Sequence, residues 1–416
     1  MTTSQAVRAQ YESLPYPPRD PRHELRMLHR PIASELKLVN HAIWRGHRRA
    51  DVTFRALDAG CGTGDNAVFL AMQLQSIGGE VVALDLSEAS LGITRERAAA
   101  RGLTNITTIH GRIEDLPSLD VGRFDFAVCN GVLHHLPSPK DGLEAIRDVL
   151  KPEGGAHFMV YGRHGRSAIY QLQELFRLIA PASMPADQRI RIVRTTLAAL
   201  PPTHWRELGR NGQAREVLQD ADIFDLYLHS LDRAYTVQEI YALLSGSNMR
   251  LVRWLLPHVY SPELYAGRLD LSFLSAQEKE AAAELLNSRM GKHAFFVTRE
   301  EFEPPPQVSL IDESAVPTWL MDDADGLIRS QLQNGRELRL EAEGLEYRLL
   351  LDPFRREFLK LVDGTKPLAL IMSEMAIRLP KVSPSERWEK WRDLYQAVEL
   401  FNVLALFPTP SSESRA

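Results

Sequence analysis

The 416-residue chain predicts an α/β protein: a mainly parallel sheet covered by helices, interrupted by a helical insertion and followed by a small α+β unit. Residues 53–161 alternate short apolar runs with amphipathic stretches, and β and α elements alternating at this length give a parallel sheet with helices on both faces. Residues 164–235 break the alternation with helical stripes alone. The triple proline at 304–306 then marks a linker, because proline closes off both helix and central strand.

Composition bounds the reading. Hydrophobic residues at 44% and charged residues at 25% supply a large core, and this length calls for two or three domains. A net charge of -5 gives no general electrostatic reason to bind nucleic acid or an anionic membrane. Cys61 and Cys129 are the two cysteines, too few for a disulfide scaffold and a poor basis for zinc, so no metal is expected. No signal peptide and no apolar run of about 18 residues is present, which predicts a cytoplasmic protein.

Taken in order, residues 1–50 form an N-terminal arm and helix. YESLPYPPRDP, from Tyr11 to Pro21, holds four prolines and is expected to be stiff and extended rather than helical. From His23 to Trp44 apolar residues recur at helical spacing. Residues 51–300 are the main domain. FRALDAG, VVALD, NITTIH, FDFAVCN and AHFMVYG read as strands, with helices between them, one closing on Gly102. The insertion at about 164–235 is either an extra helical layer or a substrate-selecting lid. The α/β pattern resumes at Thr236, which with Glu239 makes a capping box, while Gly246 offers a helix stop. MRLVRWLL and HAFFVTRE supply two final strands. After a linker at 301–310, residues 311–407 predict a small unit of winged-helix-like character. In it Leu338, Leu340 and Ala342 face Leu345, Tyr347 and Leu349 across a turn near Gly344. Pro353 opens a helix, and Trp388, Trp391, Tyr395 and Val398 form a core stripe. From Glu301 onward 14 basic residues face 20 acidic ones, which argues against DNA binding. Residues 408–416 are expected to be disordered.

ALDAGCGTGDN, at the end of the first strand, is the most informative stretch. Gly60, Gly62 and Gly64 let the backbone turn sharply and approach a ligand. A dinucleotide site wants G-x-G-x-x-G; here the third position of that pattern is Asp65, whose carboxylate would repel a pyrophosphate. Asp85 ends the next strand, where open α/β sheets bind ligands; it can accept two hydrogen bonds from a ribose or serve as a helix cap before SEAS.

LDAGCGTG, VVALDLS, IHGRIEDLP, FDFAVCNGVLHHLP and LKPEGG, in this order from about Arg55 to Arg299, resemble the class I S-adenosylmethionine-dependent methyltransferases. The resemblance implies a Rossmann-like seven-stranded sheet whose last strand is antiparallel, with S-adenosylmethionine as cofactor. It implies that Asp58 and the loop of Gly60, Cys61, Gly62 and Gly64 hold the methionine end of the cofactor. Asp85 would bind the ribose and Leu86 would pack on the adenine. Ile113 would meet the adenine through its backbone, and Asn130 would face the methyl or the amino-acid portion. Where many members have an aspartate after Gly111 this chain has Arg112, so Glu114 or Asp115 takes that role or the contact is absent.

Methyl transfer from a sulfonium is an in-line displacement, served by alignment and exclusion of water, and it needs a base only where the acceptor must first lose a proton. His134 and His135 offer such a base or a structural pair. After the fifth strand, Tyr161 and Arg163 are expected to line the acceptor pocket, and Arg166 to belong to a solvated basic loop. Asp225, His229, Asp232, Arg233 and Tyr235 form either a salt-bridged junction or a substrate site. Tyr11 and Tyr16 would wall the acceptor, with Arg19 reaching the cofactor carboxylate. The acceptor is expected to be a small metabolite; the alternatives are a protein side chain, or a regulatory module that binds S-adenosylmethionine without turnover. The acidic C-terminal unit would recruit a protein or a second copy of the chain.

Overall fold

The parallel core follows from β-α alternation, and its strand order decides where a ligand can sit. The computed structural model describes residues 3–409 except 49, 209–217, 268, 321–327, 329, 334 and 343–344. Strands β1 (Arg55–Ala59), β2 (Glu80–Asp85), β3 (Ile106–His110), β4 (Phe124–Asn130), β5 (Leu150–Gly162), β6 (Ala234–Tyr235), β7 (Met249–Trp254) and β8 (Lys292–Arg299) make one sheet. Its order is β3-β2-β1-β4-β5-β8-β7, with β6 paired to the end of β5. Strands β1 to β5 are mutually parallel where they pair, and β8 runs antiparallel between β5 and β7. The order reverses between β1 and β4, and such a switch opens a crevice at the carboxyl ends of the strands. The expected sheet is therefore present, with β6 as an eighth, two-residue strand too short to show in the pattern.

Helices α1 (Thr3–Ser13), α2 (Leu36–Trp44), α3 (Asp65–Gln75), α4 (Glu88–Ala100) and α5 (Pro139–Val149) flank or cover the sheet. Two N-terminal expectations need correction. Tyr11 belongs to α1, which runs to Ser13; the extended piece begins only where Pro15 forces Leu14 away from helical geometry. From His23 to Trp44 only Leu36–Trp44 is α-helical, because Pro31 interrupts the stripe and leaves single 3-10 turns before it. Thr236 and Glu239 do form the capping box, but Gly246 keeps a right-handed φ of -65° and Asn248 takes the positive φ instead.

The insertion contributes α6 (Ser167–Ile179) and α7 (Ala186–Ala198) and ends in a π turn, Phe224–Leu228. Leu172, Phe176, Val193, Ile223 and Tyr227 give it a core of its own.

The C-terminal unit pairs Val316–Trp319 with Leu404–Phe407 and carries the hairpin Glu337–Ala342 and Leu345–Leu350. Leu338 opposes Leu349 and Leu340 opposes Tyr347 as the alternation predicts; the turn near Gly344 lies outside the described residues, as does the expected tail from residue 410. Asp352 caps the helix opened by Pro353, and Trp391, Tyr395 and Val398 are buried. Leu320 and Ala405 also join the core around Ile43 and Ala56, so this unit is packed against the main sheet.

Glu399 anchors that packing. It lies 2.6 Å from Arg253 and 2.9 Å from the His41 ring. Burial opposes its charge, yet the His41 hydrogen bond and the Arg253 charge outweigh burial and hold its pKa at about 2. Burial pushes His41 the other way, below its usual value, so Arg253 is the ionic partner. A depressed carboxylate stabilises the fold above its unfolded pKa, here 4.5, and loses that contribution as pH falls toward about 2. Glu399→Gln is expected to cost roughly 3 kcal/mol at pH 7, by this linkage and the loss of a half-buried charge pair. Urea unfolding at pH 7 and pH 3 checks it; an equal loss at both pH values would refute the ionic account.

Candidate active site

The crevice is built on the glycine loop. Gly60, Gly62 and Gly64 have φ of +82°, +51° and +91°, a region that a side chain resists. Gly60 and Cys61 donate their N–H groups to the Leu84 carbonyl, which ties the loop to β2. Asp85 accepts from Gly62 N at 2.8 Å and Ser87 N at 2.9 Å. Ser87, not Asp85, caps α4. Burial raises the Asp85 pKa against its backbone donors; a carboxylate has about four acceptor positions, so the bonds from Gly62 and Ser87 leave room for a ribose. Asp58 is fully buried and neither carboxylate oxygen has a hydrogen-bond partner among the described residues. Burial pushes its pKa well above the ordinary value, and the neighbouring charges of Asp85 and Asp65 add to the rise. A buried carboxylate short of donors fits the ammonium end of an amino-acid cofactor.

Leu86, Ile113 and Glu114 lie beside β2 and β3. Ile113 is buried, the Leu86 carbonyl faces His110 at 3.0 Å, and Glu114 is paired with Arg112 at 2.8 Å. Asn130 ends β4 opposite Met159, with its side chain held by His157 and Asn66.

The proline arm lies on this loop. Thr63 Oγ1 donates to the Pro17 carbonyl at 2.7 Å, and a Cβ at Gly62 would collide with the Tyr16 carbonyl. Arg19, expected to reach the cofactor carboxylate, forms a bidentate pair with Asp65, the first residue of α3, at 2.6 Å in its shorter contact. Arg97, wholly buried, joins Asp65 at 2.7 Å and Glu24 at 2.5 Å, and Arg101 adds a second contact to Glu24 at 2.6 Å. Burial raises the pKa of Asp65 and Glu24, but the guanidinium contacts win and both end below their usual values.

Beyond the arm, side chains converge on Asp225, carried by the π turn; such widened turns are frequent at functional sites. Tyr11 Oη donates to Oδ1 at 3.0 Å and Tyr161 Oη to Oδ2 at 3.1 Å. His229 Nε2 lies 3.3 Å from Tyr11 Oη, and the His229 ring stacks on His135 at 3.8 Å. His134 packs on Tyr161 at 3.8 Å. Arg166 sits 3.4 Å over the Tyr161 ring and pairs with Asp232 at 3.4 Å. Burial drives His134 well down, His135 to about 4 and His229 to about 3, so all three are neutral at pH 7. Burial raises Asp225, against His229 and the two phenols.

His135, Asp225 and His229 bring ligand atoms within 4.8 Å of one another, but their protons are committed. His135 Nδ1 faces the Leu231 carbonyl and therefore carries its hydrogen. His229 Nδ1 accepts from the Leu231 N–H, so neutral His229 has its hydrogen on Nε2, the atom beside Tyr11. A metal there would require a rearranged tautomer.

Sequence reasoning placed Tyr16, Tyr161 and the glycine loop along this crevice. It inverted two arginines: Arg166 is 5% exposed, while Arg163 points outward to Glu239 at 2.6 Å with half of its side chain in solvent. The 3-10 turn His164–Arg166 swings the two guanidiniums apart, and residue type alone carries no signal of that turn. His134 is wholly enclosed and backs Tyr161. Asp225 and His229 stood among open alternatives, and only the fold joins them to Tyr11. An open groove of about 730 Å³, lined by Tyr241, Arg250 and Glu278, lies at the other end of the sheet, where Met249 pairs with Arg299.

The glycine loop, the carboxylates at the ends of β1 and β2 and the β8 reversal define a class of fold and site together. The chain belongs to the class I S-adenosylmethionine-dependent methyltransferases. A methyltransferase-domain family pattern matches residues 56–154. An uncharacterised protein of Synechococcus sp. is 30% identical over 331 residues, 75% of either chain. The ubiquinone biosynthesis O-methyltransferase of Acinetobacter baumannii is 26% identical over 168 residues, 37% of this chain and 68% of that one. Among solved structures, PKMT2 from Rickettsia typhi in complex with AdoHcy superposes with a TM-score of 0.65 at 13% identity, over 92% of this chain and 76% of that chain; it shares the fold.

Arg97→Met leaves Asp65 with one guanidinium and removes the buried partner of Glu24. Stability is expected to fall by roughly 3 kcal/mol, the scale for breaking a buried pair from one side. Unchanged urea midpoints would show that the network is dispensable.

Proposed function

We propose that this methyltransferase moves the methyl group of S-adenosylmethionine to an amine nitrogen docked at Asp225, between the phenols of Tyr11 and Tyr161. The carrying observation is the charge pattern: a buried carboxylate met by two phenol hydroxyls, with three imidazoles kept neutral beside it. Arg166 is matched by Asp232, Asp225 has no cationic partner among the described residues, and a carboxylate so placed suits an ammonium group.

Bound S-adenosylmethionine supplies an electrophilic methyl on a positively charged sulfur. Asp58 and the glycine loop would hold its amino-acid end, Asp85 its ribose and the Leu86–Ile113 side its adenine. An ammonium has no lone pair, so it must lose a proton before attack. Asp225 is the group placed to take it, and a carboxyl raised by burial is a better base than an exposed one. Tyr11 and Tyr161 hold both carboxylate oxygens in place, and the arm with the insertion keeps water away.

Enclosure by the arm and by α6 supports a slender acceptor, a small-molecule amine before a protein amino group. Among the described residues no helix is long and apolar enough to cross a membrane, and with two free cysteines this supports a cytoplasmic setting. Exposed Leu370 and Ile377 on the acidic C-terminal unit support docking of a second copy there.

Two experiments test the reading. Calorimetry with S-adenosylmethionine should show binding that Asp85→Ala weakens at least about tenfold, the scale of losing two hydrogen bonds to a charged group; equal affinity in the variant would remove Asp85 from the site. In a tritium-transfer assay across small amines and amine-bearing proteins, Asp225→Asn should lower turnover about 100-fold, the scale of general-base catalysis, with cofactor affinity retained. Transfer to hydroxyl acceptors alone would overturn the amine assignment.

A further inference from the structure

His157 lies in the middle of β5 and takes no part in the contacts described around Asp225. It is 1% exposed and sits opposite Val128, so on the shared face it is the diagonal neighbour of Asn130. Its Nδ1 lies 2.8 Å from Asn130 Oδ1. Its Nε2 is buried without a hydrogen-bond partner among the described residues, beside the Phe296 ring at 4.9 Å. Burial holds its pKa at about 3, so the ring is neutral.

The neighbouring bonds fix which way Asn130 is turned. Asn130 Nδ2 donates to Asn66 Oδ1 at 3.4 Å, and Ser34 Oγ donates to the same oxygen at 2.9 Å. A flipped Asn130 would set its oxygen against Asn66 Oδ1, two acceptors facing each other. The unflipped amide requires a donor at its own Oδ1, and that donor is His157 Nδ1–H. This tautomer leaves only a lone pair at the unpartnered Nε2, which costs less than a buried N–H with no acceptor. Ser34 is itself fully buried, and its carbonyl accepts from Gln73 Nε2 at 2.9 Å. The line from β5 through β4 and α3 to the N-terminal segment is therefore polar and directional. An amide held at both ends presents its second N–H in one direction, whereas a free amide samples two orientations.

We propose that His157 is a positioning residue: through its Nδ1–H it locks the Asn130 side chain in the single orientation that faces the cofactor. This rests on Asn130 meeting the cofactor, as the family resemblance implies. His157 touches no reacting atom and acts wholly through Asn130.

A double-mutant cycle on the full chain tests it, reading the S-adenosylmethionine Kd by calorimetry and Tm beside it. Asn130→Ala is expected to weaken binding about tenfold and His157→Leu about fivefold, within the range of coupled neighbours, and the double variant should be no weaker than Asn130→Ala alone. His157→Asn keeps an N–H donor near the Nδ1 position and should recover affinity to within about twofold, even where its smaller volume lowers Tm. Multiplying effects in the double variant, or a His157→Asn as weak as His157→Leu, would overturn the proposal while leaving Asn130 in the site. An Asn130→Ala that binds normally would remove Asn130 from the site and the proposal with it. Should His157→Leu fail to fold, Ser34→Ala runs the same cycle from the far end of the line, with non-additivity expected and additivity refuting the fixed amide.

Discussion

The structure depends on one close approach, that of the proline arm to the glycine loop. At Gly62 the loop has a positive φ and the Tyr16 carbonyl occupies the space that a Cβ would need. Glycine is therefore required twice at one position, by its own backbone and by the chain lying on it. Once seated, the arm brings Arg19 to Asp65 at the start of α3. Arg97, buried below, connects Asp65 with Glu24 further along the same N-terminal segment. Charges that would be costly to bury singly are matched here in a chain, and the chain holds the arm down.

The same rule, applied in reverse, distinguishes the Asp225 side. There burial keeps His134, His135 and His229 neutral, and Asp232 takes up Arg166. Among the described residues, the hydrogen-bond donors to Asp225 are the two phenols. Asp65 and Glu24 meet guanidiniums and are depressed; Asp225 meets phenols and a neutral imidazole and is raised. The Asp65–Glu24 network is thus matched in charge, while Asp225, like Asp58 at the end of β1, keeps no cationic partner among the described residues.

What the sequence revealed follows the range of the forces involved. The sheet was legible because strand and helix periods are local, and the carboxyl-end positions of Asp58, Asp85 and Asn130 come with them. The hairpin register and the Asp352 cap were legible for the same reason. Tyr11 to Ser13 end α1 rather than joining the extended piece, because a proline restricts its own residue and the one before it, and the first proline here is Pro15. Asp225 could be seen only as a member of a polar stretch, since its partners lie 214 residues away at Tyr11 and 64 away at Tyr161. Arg163 and Arg166, three positions apart, were exchanged because a single 3-10 turn decides which enters the core. The signal that could have found Asp225 is the acidic residue itself, on an otherwise apolar stripe of DIFDLYLHSL, where an unpaired carboxylate needs a reason.

The two halves of the crevice are joined by a short piece of chain. Tyr11 meets Asp225 from the last turn of α1, and Tyr16, Pro17 and Arg19 meet the glycine loop and α3. Three prolines fall between Tyr11 and Arg19, so the link has few backbone states and little slack. A glycine-rich link would let each end settle separately; a proline-rich one makes the position of Tyr11 depend on whether Arg19 is seated on Asp65. Stiffness also lowers the entropy lost when the arm closes. The arm is therefore the part of the fold through which the glycine-loop side and the Asp225 side share one geometry.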